Sequence, residues 1–141
     1  MSSKLLPREA LDRVLSTDAP FAEHYGFVVE EYDDDGNARI RLPYDGRHIR
    51  PGGTIAGPAM FALADFSLYI AVLAVIGPVE LAVTTNMTID FLRKPADRDL
   101  IAEVRLLKVG KRLAVGQIEI RAEGDDFLCA NVTGTYSIPP R

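Results

Sequence analysis

Apolar and polar positions alternate along much of this chain, and one stretch breaks the pattern: Ala56 to Gly77, AGPAMFALADFSLYIAVLAVIG. Between its two glycines lie nineteen residues, of which only Asp65 is charged. A run this long and this apolar predicts a helix enclosed on nearly every side. Upstream, Pro7 to Ser16 has helical spacing, with Pro in the first turn and Leu11, Val14 and Leu15 on one side, so a short N-terminal helix is expected over about residues 7–17. Gly26–Tyr32 reads as a strand and Asp33-Asp34-Asp35-Gly36 as a turn. Asn37–Tyr44 then sets Ala38, Ile40, Leu42 and Tyr44 against Arg39 and Arg41, completing a hairpin. The connection from Asp45 to Gly57 (DGRHIRPGGTIAG) is long for a simple link and is a candidate functional loop.

Four more strands follow the apolar run. Ala82–Leu92 places Val83, Thr85, Met87, Ile89 and Phe91 on one face, with Thr84 on the other. Leu100–Val109 sets Leu100, Ala102, Val104 and Leu106 against Glu103 and Arg105. Leu113–Glu123 sets Ile118 and Ile120 against Gln117, Glu119 and Arg121. Phe127–Ile138 groups Leu128, Ala130, Val132, Tyr136 and Ile138. Short turns (VGKR, EGDD) join the last three, which should therefore be antiparallel neighbours. The expectation is a single α+β domain over residues 1–141, with an antiparallel sheet of about six strands wrapped around one long central helix.

Composition narrows the picture. The chain of 141 residues is 48% hydrophobic and 26% charged, which suits a globular domain able to bury a core without staples. A net charge of −4 argues against nucleic acid or an anionic membrane as main partner. Cys129 stands alone, so no disulfide can form within the chain, which suits a cytoplasmic setting. The first fifteen residues lack a signal-peptide core. A membrane span is the rival reading of Pro58–Ile76, but a central Asp would cost ~2.5–3.5 kcal/mol there, and the surrounding strands need something to pack on. No His, Cys or Asp cluster has metal-ligand spacing, and Gly52-Gly53 is not followed by the Lys-Ser/Thr of a phosphate loop.

Several motifs, in order, resemble the PaaI-like group of hotdog-fold acyl-CoA thioesterases. FALAD (Phe61 to Asp65) is similar to the end of that group's helix-start signature, and Gly57 matches its first glycine. NMTIDFLRKPA (Asn86 to Ala96) is similar to its strand-end motif, and GKRLA (Gly110 to Ala114) to the turn beyond. The likeness covers roughly residues 20–138. Three positions depart from the pattern: the family's His falls at Ala56, its second Gly at Pro58, and its usual Asn at Arg50. The resemblance implies a thioesterase in which Asp65 is general base or nucleophile and Gly57 an oxyanion donor. Thr84 stands where some members carry a Ser or Thr that orients the nucleophilic water. It also implies a homodimer at minimum and a homotetramer (dimer of dimers) by analogy with relatives, with no cofactor beyond the coenzyme A of the substrate.

Elementary geometry constrains this site further. A helix N-terminus offers unpaired N–H groups to a developing oxyanion, and Pro58 leaves the Gly57 and Ala59 amides as candidates. Yet Asp65 lies eight helical steps beyond Gly57, a rise of ~12 Å at ~1.5 Å each, whereas donor and base must each lie within ~3 Å of the reacting atoms. One helix cannot serve both, but two helices related by a two-fold axis can. Arg50 and His48 in the long loop are candidates for the thioester carbonyl, a CoA phosphate or an acyl polar group. Lys108, Lys111 and Arg112 at one strand turn, and Arg93, Lys94 and Arg98 at another, are candidates for the CoA phosphates. His24 reads as surface.

The expected activity is hydrolysis of a small or medium, aliphatic or aryl, acyl-CoA to free acid and CoA. A non-catalytic acyl-CoA sensor or carrier is the alternative that the altered residues Ala56, Pro58 and Arg50 would favour. Acyl hydration on the same fold would call for an Asp/His pair, and only His48 lies near the helix start.

Overall fold

The long apolar run is helical from Gly57 to Ile76, and a sheet curls around it. The computed structural model describes residues 5–18, 24–45, 49–50, 54–55, 57–78 and 82–140. In chain order the elements are α1 (Arg8–Asp18), β1 (Val28–Tyr32), β2 (Asn37–Leu42), β3 (Ile49–Arg50), β4 (Thr54–Ile55), α2 (Gly57–Ile76), β5 (Val83–Phe91), β6 (Leu100–Val109), β7 (Leu113–Ala122) and β8 (Ala130–Ser137). Six strands form one sheet in the order β1-β2-β6-β7-β8-β5, antiparallel at every step. This is the hotdog architecture expected above. The long loop also carries a two-residue ladder, β3 with β4, which the sequence pattern did not reveal.

The core lies between α2 and the inner face of the sheet. Leu63, Leu68, Ile70 and Leu73 of the helix are fully buried, as are Ile118 and Ile120 of β7. The helix approaches closely because Gly116 and Gly134 face each other on β7 and β8. A Cβ on either would come within 2.6 or 2.8 Å of the Leu68 methyls, so the two glycines make room for one leucine. Of the most apolar window of α2, 72% is buried inside this chain, which accounts for its composition without a bilayer. Leu11 and Val14 of α1 are buried as their spacing required, and His24 is exposed.

Three strand boundaries differ from expectation by two residues or more, each for a local reason. β2 stops at Leu42 because Pro43 has no N–H to continue the ladder, and the Tyr44 amide instead donates to Asp99 Oδ1 at 2.7 Å. β8 starts at Ala130 rather than Phe127, because Asp125 Oδ1 captures the Phe127 amide at 3.0 Å in an Asx turn. The first strand begins at Val28, after Gly26 takes a left-handed conformation (φ 71°).

On the outer face Arg41 gathers three carboxylates: Glu30 at 2.6 Å, Glu123 at 2.7 Å and Asp99 at 2.9 Å. The two ends of the sheet order differ in cover. Beside β1, Arg8 Nη1 donates to the Val29 carbonyl at 2.8 Å and the Tyr32 hydroxyl to the Leu6 carbonyl at 2.6 Å. Beside β5, at the other edge, no strand or side chain among the described residues takes up the outer backbone groups.

Candidate active site

The first two turns of α2 leave one stripe uncovered. Pro58, Phe61, Ala62 and Asp65 recur at three- and four-residue steps, so they share a face, and none of them is buried. Beyond Asp65 the helix is buried to Ala74. Asp65 therefore sits where the open stripe meets the core. Phe61, one turn before it, is 40% exposed, so it flanks the carboxylate from the open side rather than enclosing it.

Two hydroxyls converge on this carboxylate. Thr84 Oγ1 donates to Asp65 Oδ1. The Tyr136 hydroxyl donates to the same Oδ1 at 2.9 Å and approaches the Asp65 carbonyl at 3.2 Å. Thr84 and Tyr136 are cross-strand partners on β5 and β8, so the ladder itself places both hydroxyls under the helix. No described group hydrogen-bonds Oδ2. Burial, then the Asp65 charge, pushes the Tyr136 phenol well above its ordinary range, so it stays protonated and remains a donor. Its ring is buried, with the Tyr69 ring centroid 6.0 Å away.

A bulge sets this arrangement. The register of β5 against β8 slips between Thr84 and Asn86, leaving Thr85 as the extra residue. Strict alternation put Thr84 on the face opposite Met87 and Ile89; the bulge brings all three to the inner side. Thr85 is exposed, and its hydroxyl donates to the Thr135 carbonyl at 3.3 Å. Tyr136 escaped the sequence reading because it was grouped with core aliphatics. Its signal was a hydroxyl on an inward position of the last strand.

Gly57 opens α2 at the far end of β5. A Cβ there would lie 3.3 Å from Phe91 Cζ, so the Phe91 ring lies across the helix start. Thr84 at one end of β5 thus marks Asp65, and Phe91 at the other end marks Gly57. The eight residue steps between them are all helical, which keeps the two ~12 Å apart along the axis. The structure does not bring them together within one chain.

The predicted cations fall in different places. His48 lies outside the described residues, as does the side chain of Arg50, whose backbone pairs with Thr54 in the β3–β4 ladder. Lys108, Lys111 and Arg112 are exposed around the β6–β7 turn. That turn is at Asp65's end of the sheet: Ala114 pairs with Tyr136, and the Arg112 carbonyl accepts the Ile138 amide at 2.7 Å. None of the three touches the carboxylate. At the Gly57 end, Arg93 stacks over the exposed Phe127 ring at 4.3 Å, and Arg98 donates to the Glu123 carbonyl at 3.1 Å. Among the described residues no group of three His, Cys, Asp or Glu side chains could hold a metal.

The sequence profile of the Thioesterase superfamily matches residues 52–129, from the long loop through β7. The chain belongs to the thioesterase superfamily. Within it the fold is a hotdog of the PaaI type. A solved Silicibacter structure described as a "putative thioesterase" is 45% identical, covers 99% of this chain and 96% of its own, and superposes with a TM-score of 0.85. A variant of the phenylacetic acid degradation protein PaaI from Thermus thermophilus is 26% identical over 85% of this chain and 99% of its own, with a TM-score of 0.73. An archaeal protein of Saccharolobus solfataricus, described as a "putative esterase", is 29% identical over 82% of this chain and 77% of its own length. Against this thioesterase frame, Asp65 and its two hydroxyl donors are the one carboxylate-centred cluster on the open stripe of α2.

Proposed function

We propose that this protein hydrolyses an acyl-CoA thioester to a free carboxylic acid and CoA thiol. The observation that carries the reading is Asp65 itself: a carboxylate on an uncovered apolar stripe, with one oxygen held by two hydroxyls and the other unbonded among the described residues. An ionised carboxylate so placed can take a proton from water as the water attacks the thioester carbon, or can attack that carbon directly. In the first route the new C–O bond comes from water, its proton passes to Asp65, and the thiolate leaves and is protonated. The net change is one water consumed per thioester bond broken. The α2 N-terminal amides at Gly57 and Ala59 would hold the oxyanion.

The site is assembled by two copies of the chain. β5 is a nine-residue edge strand with exposed Val83 and Phe91 at its ends, and such an edge is a template for a second strand. Antiparallel pairing of β5 with its own copy about its centre, Met87, exchanges the two ends. The partner subunit's Phe91, and with it the partner subunit's Gly57, then arrives at the Thr84 end where Asp65 waits. Two equivalent sites result, each with a base from one subunit and an oxyanion donor from the other. A dimer is the minimum unit of activity, and two dimers associate into a tetramer. Lys108, Lys111 and Arg112, at the Asp65 end, are the cations assigned to the CoA phosphates, with Arg50 and His48 of the long loop reaching the thioester. No cofactor beyond the CoA moiety takes part.

Incubation of the protein and Asp65→Ala with a panel of aliphatic and aryl acyl-CoAs, following free thiol, tests this reading. Turnover by the wild type that falls at least ~100-fold in the variant supports it. Acyl-CoA binding without thiol release would select a sensor or carrier, with Arg50, Ala56 and Pro58 as the residues responsible.

A further inference from the structure

We propose that Tyr136 is a positioning residue that, with Thr84, occupies Oδ1 of Asp65 and so dedicates Oδ2 to the nucleophilic water. The inference rests on the thioesterase reading and adds to it which oxygen reacts and what selects it.

A carboxylate on a helix can turn about its terminal torsion, presenting either oxygen to a substrate. Here the two oxygens are not equivalent. Oδ1 accepts from Thr84 and from Tyr136, hydroxyls carried on paired positions of adjacent strands. Both donors are anchored by more than this contact. Tyr136 is 4% exposed, its ring wedged between β8 and α2 beside Tyr69. Thr84 is fixed by its ladder pairing and by the bulge that follows it. Turning Asp65 to exchange its oxygens would place Oδ2 on these donors and return an equivalent state. Turning it halfway would break both hydrogen bonds. The carboxylate plane is therefore locked, and one oxygen of a residue on the open stripe of α2 is always left without a described partner. A lone Thr84 would constrain one lone pair of Oδ1; the Tyr136 hydroxyl takes a second and bridges toward the Asp65 backbone carbonyl, tying the side chain to its own helix turn. The phenol is held neutral by burial and by the neighbouring charge, so it donates across the working pH range and does not compete as a base.

Tyr136→Phe removes only the hydroxyl from a packed ring. Steady-state thiol release should show kcat reduced about tenfold or more with KM within about twofold, the pattern for an interaction that aligns the reacting group rather than binding substrate. A purely structural tyrosine would instead lower the melting temperature with kcat per folded molecule unchanged. A second readout needs no turnover: the Asp65 13Cγ resonance, identified by its absence in Asp65→Asn, should move in Tyr136→Phe and in Thr84→Val. A Cγ resonance unchanged in Tyr136→Phe, or a kcat within twofold of wild type, overturns the proposal. If the resonance moves while the wild type releases no thiol from any acyl-CoA, the hold of Tyr136 on Asp65 stands and the thioesterase reading falls.

Discussion

At the scale of single residues, Asp65 does what a lone charge in an apolar helix must do: it finds donors. Thr84 and Tyr136 supply them, and no described group bonds the remaining oxygen. Asp65→Asn keeps the shape and can still accept both hydroxyls, but cannot take a proton from water. We expect kcat to fall by ~10²–10⁴ while the melting temperature stays the same or rises, measured by thiol release and thermal unfolding of the same preparation. Asp65 was legible in sequence because it is the one charge among nineteen residues between two glycines. Thr84 was legible only through family likeness, and Tyr136 only as an inward residue of the last strand. A binary pattern records whether a side chain faces inward; it does not record that the inward side chain ends in a hydroxyl beneath a carboxylate.

At the scale of elements, alternation located six sheet strands and the central helix, because burial on one face imposes a period of two. What it missed are the places where backbone chemistry overrides the period. These are Pro43 ending β2, the Asp125 turn delaying β8, and the bulge at Thr85 that turns Thr84 inward. The glycine pair is another such place. Gly116→Ala would put a methyl 2.6 Å from Leu68 Cδ1 and 3.1 Å from Leu106 Cδ2, and Leu68 is already confined by Gly134. We expect destabilisation of ~1–3 kcal/mol in urea unfolding, partly relieved by Leu68→Val. Asp99 gives a pH signature. The Tyr44 amide, opposed by burial and aided by Arg41, holds its carboxyl below the usual range. A depressed folded pKa means its stabilisation is complete above the unfolded value of about 3.9 and is lost as pH falls through the lower folded value. Asp99→Asn should therefore be less stable than wild type at neutral pH, with the gap closing below about pH 4 in denaturant titrations.

At the scale of the whole molecule, one edge of the sheet is covered by the N-terminal segment, while the other is left open among the described residues and joins the Thr84 and Phe91 ends of the site. If β5 pairs with its copy about Met87, a mixture of Asn86→Cys and Thr88→Cys chains should form an oxidised dimer on a denaturing gel, because these two positions face each other beside the axis, within disulfide reach. Arg105→Cys, on the outer face of central β6, should stay monomeric under the same oxidation. The central claim is that base and oxyanion donor come from different chains. It is tested most directly by thiol release from a doubly tagged hybrid of an Asp65→Asn chain with a Gly57→Val chain. Each homodimer should be inactive. The hybrid holds one site with both defects and one with neither, so it should recover about half of the wild-type rate per dimer. A hybrid as inactive as its parents would contradict the account.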